Sequence, residues 1–150
     1  MSERGALSIL VLEDSDEDFD TVQQAARRAA LPHRIARALT GEACLEMLNA
    51  DPRGPALPRL VLLDLNTPGM DGRDALWEIR SDARWMTVPV IVLSTSANPR
   101  DVTLCYAGGA NAYHVKPLRY TEHLEILQAV FAYWLGAVAP AAPTDRGTTP

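Results

Sequence analysis

The stretch Leu60-Val61-Leu62-Leu63-Asp64-Leu65-Asn66-Thr67-Pro68-Gly69-Met70-Asp71-Gly72 decides the reading of the fold. Four apolar residues run without alternation into a carboxylate, and a turn rich in Asn, Pro and Gly follows. An unbroken apolar run of this length reads as a strand buried on both faces, as in a parallel sheet. The turn ends the strand, so Asp64 falls at its carboxyl end, where open α/β sheets hold ligands and chemistry. Capping of the turn is the plainer reading of one such Asp. Matching groups at three other strand ends argue for a shared site instead.

Outward from this strand the same unit repeats. Leu7–Leu12 reads as a first buried strand that runs into Glu13-Asp14-Ser15-Asp16-Glu17-Asp18, five acids in six positions. Asp16, Glu17 and Asp18 suit the positive end of a helix dipole. Glu13 and Asp14 lie directly on the strand end, where adjacent carboxylates repel unless a cation neutralises them, so they suggest a site for a hard metal ion. A helix is expected to continue from Phe19 to Ala30, closed by Leu31-Pro32, and His33–Leu39 reads as a strand near the sheet edge. Thr40 can cap a helix to about Asn49, and 51–58 reads as a stiff Pro/Gly loop. Beyond the central strand, Arg73–Ser81 reads as a third helix. Val88–Leu93 reads as a fourth strand that ends in Ser94-Thr95-Ser96, and Arg100–Tyr106 as a fourth helix closed by Gly108-Gly109. Ala112–Val115 reads as a fifth strand that ends in Lys116-Pro117, and Tyr120–Leu135 as a last helix. Five alternating strand–helix units predict an α/β fold with one doubly wound, five-stranded parallel sheet. Residues 7–135 form the expected domain, and 1–6 and 136–150 the flexible termini.

Composition narrows the function. The chain has 150 residues, 47% of them hydrophobic and 22% charged, which suits one soluble domain with a full core. A net charge of −5 argues against non-specific binding to nucleic acid or anionic membrane. No apolar run is long enough to span a bilayer and the start lacks a signal peptide's apolar core, so the expectation is a cytoplasmic protein. Cys44 and Cys105 fall in predicted helices without metal-type spacing and are expected as buried free thiols. Of the 14 basic residues 13 are Arg, and the only lysine is Lys116. A compact ammonium can meet one phosphoryl oxygen as a point charge where a planar guanidinium would not fit. With no Gly-rich phosphate loop, a nucleotide site is not expected.

Four strand ends thus carry Glu13 and Asp14, Asp64, Ser94, and Lys116, and a parallel sheet points them the same way. This layout resembles the receiver domain of bacterial response regulators, the CheY-like family with a flavodoxin-like (βα)5 fold. The resemblance implies that Asp64 is the phosphoryl acceptor and that Mg²⁺ is held by Asp14, Asp64, the backbone carbonyl of Asn66 and, through water, Glu13. Glu at position 13 departs mildly from the family's commoner Asp. The resemblance also implies that Ser94 bonds a phosphoryl oxygen, that Lys116 pairs with the phosphoryl group through a cis Lys116–Pro117 bond, and that Ser94 and Tyr113 form the switch. Tyr113 by residue type alone reads as sheet filler.

A finer resemblance lies in Glu13-Asp14-Ser15-Asp16, Asp64-Leu65-Asn66, Ser94-Thr95-Ser96 and Tyr133-Trp134. These are similar to single-domain regulators that partner phytochrome histidine kinases, which implies a sensor histidine kinase of the bacterial phytochrome type as partner. In the last helix Leu124, Leu127, Phe131 and Leu135 form one apolar face, widened by Ile126, Val130, Tyr133 and Trp134. That surplus either covers the core or forms a homodimer interface.

Three rival functions each meet an obstacle in these residues. A haloacid-dehalogenase-type phosphatase needs a second acid two residues after its nucleophile, and Asn66 cannot serve as one. The protein is therefore expected not to be an enzyme, beyond slow loss of its own phosphoryl group. A pseudo-receiver would keep the fold as an interaction module without phosphorylation, but every functional position here is filled. A flavodoxin-like carrier would need a phosphate loop where Glu13-Asp14 stand. With no output domain after Leu135, direct DNA binding is not expected, and output would pass through protein contacts or phosphorelay.

Overall fold

The computed structural model describes residues 9–50 and 57–141. The expected flexible start at 1–6, the first two residues of the first strand, most of the 51–58 loop and the tail from 142 lie outside them.

Apolar runs build five strands: β1 (Ile9–Leu12), β2 (Ile35–Ala38), β3 (Leu60–Asp64), β4 (Val90–Ser94) and β5 (Ala112–Val115). They form one parallel sheet in the order β2-β1-β3-β4-β5, so the doubly wound sheet is the observed architecture. Pleating sends alternate side chains to opposite faces. Leu10, Leu12, Val61, Leu63, Val90 and Val92 enter one core, and Ile9, Val11, Leu60, Leu62, Ile91 and Leu93 enter the other. The first core is covered by α2 (Gly41–Asn49), α3 (Gly72–Ser81) and α4 (Pro99–Ala107). The second is covered by α1 (Asp16–Arg28) and α5 (Tyr120–Ala132), which pack against each other. Strand order reverses direction between β1 and β3, and in such sheets the crevice outside the strand ends opens there.

Helix starts are set by local polar chemistry. Ser15 Oγ, Thr40 Oγ1, the Asp71 carboxylate and Asn98 Oδ1 each accept an amide of the first turn, and Pro99 begins α4 where its missing N–H costs nothing. α1 stops at Arg28, two residues before the expected end, because Ala30 adopts φ +52° and turns the chain away. α5 is followed by a π-helical turn at Tyr133–Ala137, closed by Val138 N–H donating to Tyr133 O at 2.8 Å. Helical structure therefore runs two residues past the expected Leu135. His123, Leu124, Leu127, Val130 and Phe131 are all buried in α5, so Val130 belongs to the core rather than to a surplus face. Ile126, Trp134 and Leu135 pack against the same core, and Tyr133 stays exposed, its ring 5.3 Å from Trp134 in an edge-on pair.

The sheet end away from Asp64 is tied together by one side chain. Arg80 Nε donates to Gly109 O at 2.8 Å, and its terminal nitrogens donate to Trp85 O (3.2 Å), Val88 O (2.9 Å) and Asn111 Oδ1 (2.8 Å). The planar fork thus joins α3, the chain entering β4 and the turn after α4. Both cysteines are buried and free, as expected, and burial pushes the Cys44 thiol up to about 12. Among the described residues no helix is long and apolar enough to cross a membrane.

Candidate functional site

The carboxyl ends of β1, β3 and β5 bring Glu13, Asp14, Asp64 and Lys116 together. Lys116 Nζ lies 2.7 Å from Glu13 Oε1, 2.8 Å from Asp18 Oδ2 and 3.2 Å from Asp64 Oδ2. One carboxylate oxygen each from Glu13, Asp14 and Asp64 falls within 4.8 Å of the others. Glu13, Asp64 and Lys116 are 3%, 7% and 7% exposed, whereas Asp14 faces solvent. The remaining oxygens are placed by main-chain amides: Glu13 Oε2 accepts from Ser15 N–H at 3.1 Å, and Asp64 Oδ1 from Asn66 N–H at 3.0 Å. The turn after β3 folds tightly back over Asp64. A Cβ on Gly72 would meet Asp64 O at 2.2 Å, so only glycine permits that approach, and Gly69 takes φ +67° in the same turn.

Electrostatics follow from this packing. Burial pushes Glu13 up to about 7, opposed by the hydrogen bond and charge of Lys116 and aided by the charge of Asp64. Burial alone would push Lys116 down, but its bonds to Asp18 and Glu13 and the charges of Glu13 and Asp64 outweigh that and hold it above the usual lysine range. One ammonium faces more carboxylates than it can balance. The donor set is all hard oxygen, clustered and partly open on the Asp14 side, and it fits a divalent cation such as Mg²⁺ or Mn²⁺. Glu13, Asp14 and Asp64 are the residues that could hold it.

Ser94 is fully buried at the end of β4. Its carbonyl accepts from Lys116 N–H at 2.7 Å, which locks the ends of β4 and β5 side by side. Its Oγ accepts from Ser96 N–H at 3.0 Å. Tyr113 on β5 is half-buried and reaches across the strand ends, with its hydroxyl donating to Ser96 O at 2.8 Å. Sheet filler is thus an incomplete reading of Tyr113, because its polar tip holds the loop that follows Ser94. The Lys116–Pro117 bond, expected cis, is trans, and no described peptide bond is cis. Trans is the intrinsically favoured isomer, and in it Lys116 already reaches all three of its carboxylates.

Sequence reasoning missed two participants, Asp18 and Arg37, and one buried neighbour, His123. Asp18 was assigned to the helix dipole. It stands three residues after the cap Ser15, and helical side chains lean towards the N-terminus, so its carboxylate overhangs the strand ends. That geometry was the available signal. Arg37 on β2 donates through Nε to Glu13 O at 2.8 Å and through a terminal nitrogen to Asp16 Oδ1 at 2.8 Å, while its guanidinium lies 4.9 Å over the Phe19 ring. It braces the acidic loop from the neighbouring strand. His123 is buried in α5 with Nε2 lacking a hydrogen-bond partner, and burial keeps it below the usual histidine range.

The chain is similar to known proteins over most of its length. The family model of the response regulator receiver domain matches residues 9–128. The response regulator Rcp1 of Synechocystis is 34% identical over 89% of this chain and 93% of its own. The probable methanogenesis regulatory protein FilR2 of Methanothrix harundinacea is 34% identical over 85% of this chain and 83% of its own. The Mn²⁺-bound form of Rcp1 superposes with a TM-score of 0.83 at 32% identity, over 90% of this chain and 99% of that one. The phosphorylated cyanobacterial phytochrome response regulator RcpA gives a TM-score of 0.85 at 30% identity, over 92% of this chain and all of its own. With the family model matched over most of its length, and with relatives at 34% identity over nearly whole chains, the chain belongs to the receiver-domain family of two-component response regulators.

Proposed function

We propose that the protein accepts a phosphoryl group on Asp64 from the phosphohistidine of a sensor histidine kinase, assisted by Mg²⁺, and signals through protein contacts or phosphorelay. The observation that carries this reading is the seat of Lys116, the only lysine of the chain, 3.2 Å from Asp64 Oδ2 and beside the Glu13–Asp14–Asp64 cluster. Held by Asp14, Asp64, the Asn66 carbonyl and Glu13, Mg²⁺ would supply the positive charge that lets an anionic phosphoryl group approach these carboxylates. An Asp64 carboxylate oxygen attacks phosphorus. The O–P bond forms as the P–N bond breaks, and the imidazole leaves with the electron pair. Lys116 donates to one phosphoryl oxygen. Ser94 Oγ already accepts from the Ser96 amide, so its proton is left to donate to another. Any shift of Ser94 is felt by Tyr113 through the Ser96 carbonyl, which makes Ser94 and Tyr113 the switch.

Asn66 cannot act as an acid towards the acyl phosphate, so the phosphorylated form decays slowly and persists as a signal. Similarity to RcpA and Rcp1 supports a phytochrome-type kinase as the partner. The exposed Tyr133 beside Trp134, at the end of α5, supports a homodimer through the last helix and neighbouring surface. The setting in which such a kinase donates is the cytoplasm, and neither nucleic acid nor membrane is a partner in this reading. The test is intact mass after incubation with acetyl phosphate. A single Mg²⁺-dependent adduct in the wild type, absent in Asp64→Asn, is the expected result. No adduct with Mg²⁺ present would leave a phosphorylation-independent pseudo-receiver.

A further inference from the structure

The ammonium of Lys116 has three N–H donors, and the structure gives it three carboxylates: Glu13, Asp18 and Asp64. Two of them, Glu13 and Asp64, also belong to the oxygen cluster that fits a divalent cation, and Asp64 is the acceptor in the proposed function. Asp18 belongs to neither role. It is carried by α1, where its main-chain amide donates to Ser15 Oγ at 3.2 Å, so its backbone is anchored by the helix cap and not by Lys116. The Lys116 side chain is only 5% exposed. An ammonium released by Glu13 and Asp64 at that depth has no water to turn to, and an unpaired buried charge is strongly unfavourable.

We propose that Asp18 is the positioning residue of Lys116: it keeps the ammonium seated at the site while Glu13 and Asp64 engage a cation or a phosphoryl group. This rests on the phosphoacceptor reading given above. As Glu13 and Asp64 turn to their other partners, two donors of Lys116 are released and can meet phosphoryl oxygen, while the third stays on Asp18. No covalent step is involved. The acid at position 18 therefore sets how readily the lysine changes partners, and the dipole of α1 is only part of its work.

The single lysine makes this directly observable. Labelling with ζ-¹⁵N lysine gives one ammonium resonance, which persists only while hydrogen bonds hold it against exchange with water. In the wild type it should survive and shift on adding Mg²⁺, and again with acetyl phosphate. In Asp18→Asn it should be lost on adding Mg²⁺. The rate of phosphorylation at saturating Mg²⁺ should fall about tenfold, the scale of one charge-assisted hydrogen bond. Asp18→Glu should restore part of both. Glu17→Gln removes a first-turn acid with no contact to Lys116 and should change neither. A resonance that persists in Asp18→Asn with Mg²⁺, or a loss in Glu17→Gln as large as in Asp18→Asn, would overturn the proposal. The adduct mass of the wild type, read on the same sample, tests the phosphoacceptor reading separately, because the Mg²⁺ arm of the spectrum needs no phosphorylation.

Discussion

Replacing Glu13 by Gln should remove the pH dependence of stability that this one buried acid imposes. Burial lifts Glu13 from 4.5 to about 7 despite the pull of Lys116. A carboxyl raised in the folded state binds its proton more tightly there than in the unfolded chain. Its contribution is therefore fully present below pH 4.5 and is lost as pH rises through about 7. Integrating the linkage between pH 5 and pH 8 gives a loss of roughly 2.5 kcal/mol from this group alone. Glutamine keeps the shape and removes the titration. The stability of Glu13→Gln minus that of the wild type, from urea unfolding in EDTA, should thus grow by about 2.5 kcal/mol from pH 5 to pH 8. Subtraction cancels His33, His114 and His123, whose lowered values act in the opposite direction in both proteins. With saturating Mg²⁺ the sign should invert, because a cation favours the ionised acid and only the wild type offers it. A difference in EDTA that stays within 1 kcal/mol, or falls with pH, would refute the reasoning: it would mean that Lys116, not burial, governs Glu13.

Two further perturbations separate the site from its support. Gly72→Ala puts a methyl 2.2 Å from Asp64 O, so it should destabilise the protein by about 1–3 kcal/mol and slow phosphorylation by moving the acceptor turn, as read by urea unfolding and adduct formation. Arg80→Met removes the clamp at the far end of the sheet and strands several carbonyls. It should cost about 2–4 kcal/mol in unfolding free energy while the rate of phosphorylation of the folded protein stays within a factor of two.

Much of this was legible because strand ends are. Apolar runs of four to five residues gave β1, β3 and β4 with small boundary errors, and once the strands are parallel, whatever follows them shares one edge. Glu13, Asp14, Asp64 and Lys116 were therefore found from one dimension of information. Asp18 and Arg37 were not, because they arrive from a helix and a neighbouring strand through side-chain reach, which sequence spacing does not encode. The α5 stripe stayed open between core and interface for a related reason: how much of a helix a sheet covers depends on α1 packed beside it, and Val130 goes into the core they share. The Lys116–Pro117 isomer came from family resemblance alone, with no local physics behind it, and there the structure differs.

The Arg80 clamp has a consequence for how a signal could leave the site. It grips the turn at Gly109, just beyond the carboxyl end of α4, and a separate set of contacts holds the other end. The amino end rests on Asn98 and on Asp101, which accepts a hydrogen bond from Ser96 Oγ at 2.7 Å and meets Arg73 at 3.5 Å. α4 can thus pivot at Arg80, with its amino end tied to the serines at the end of β4. Any tilt that follows a displacement of Ser94 or Ser96 would be largest at Asn98 and Asp101 and smallest at Tyr106, whose hydroxyl also accepts from Tyr113 N–H at 3.1 Å.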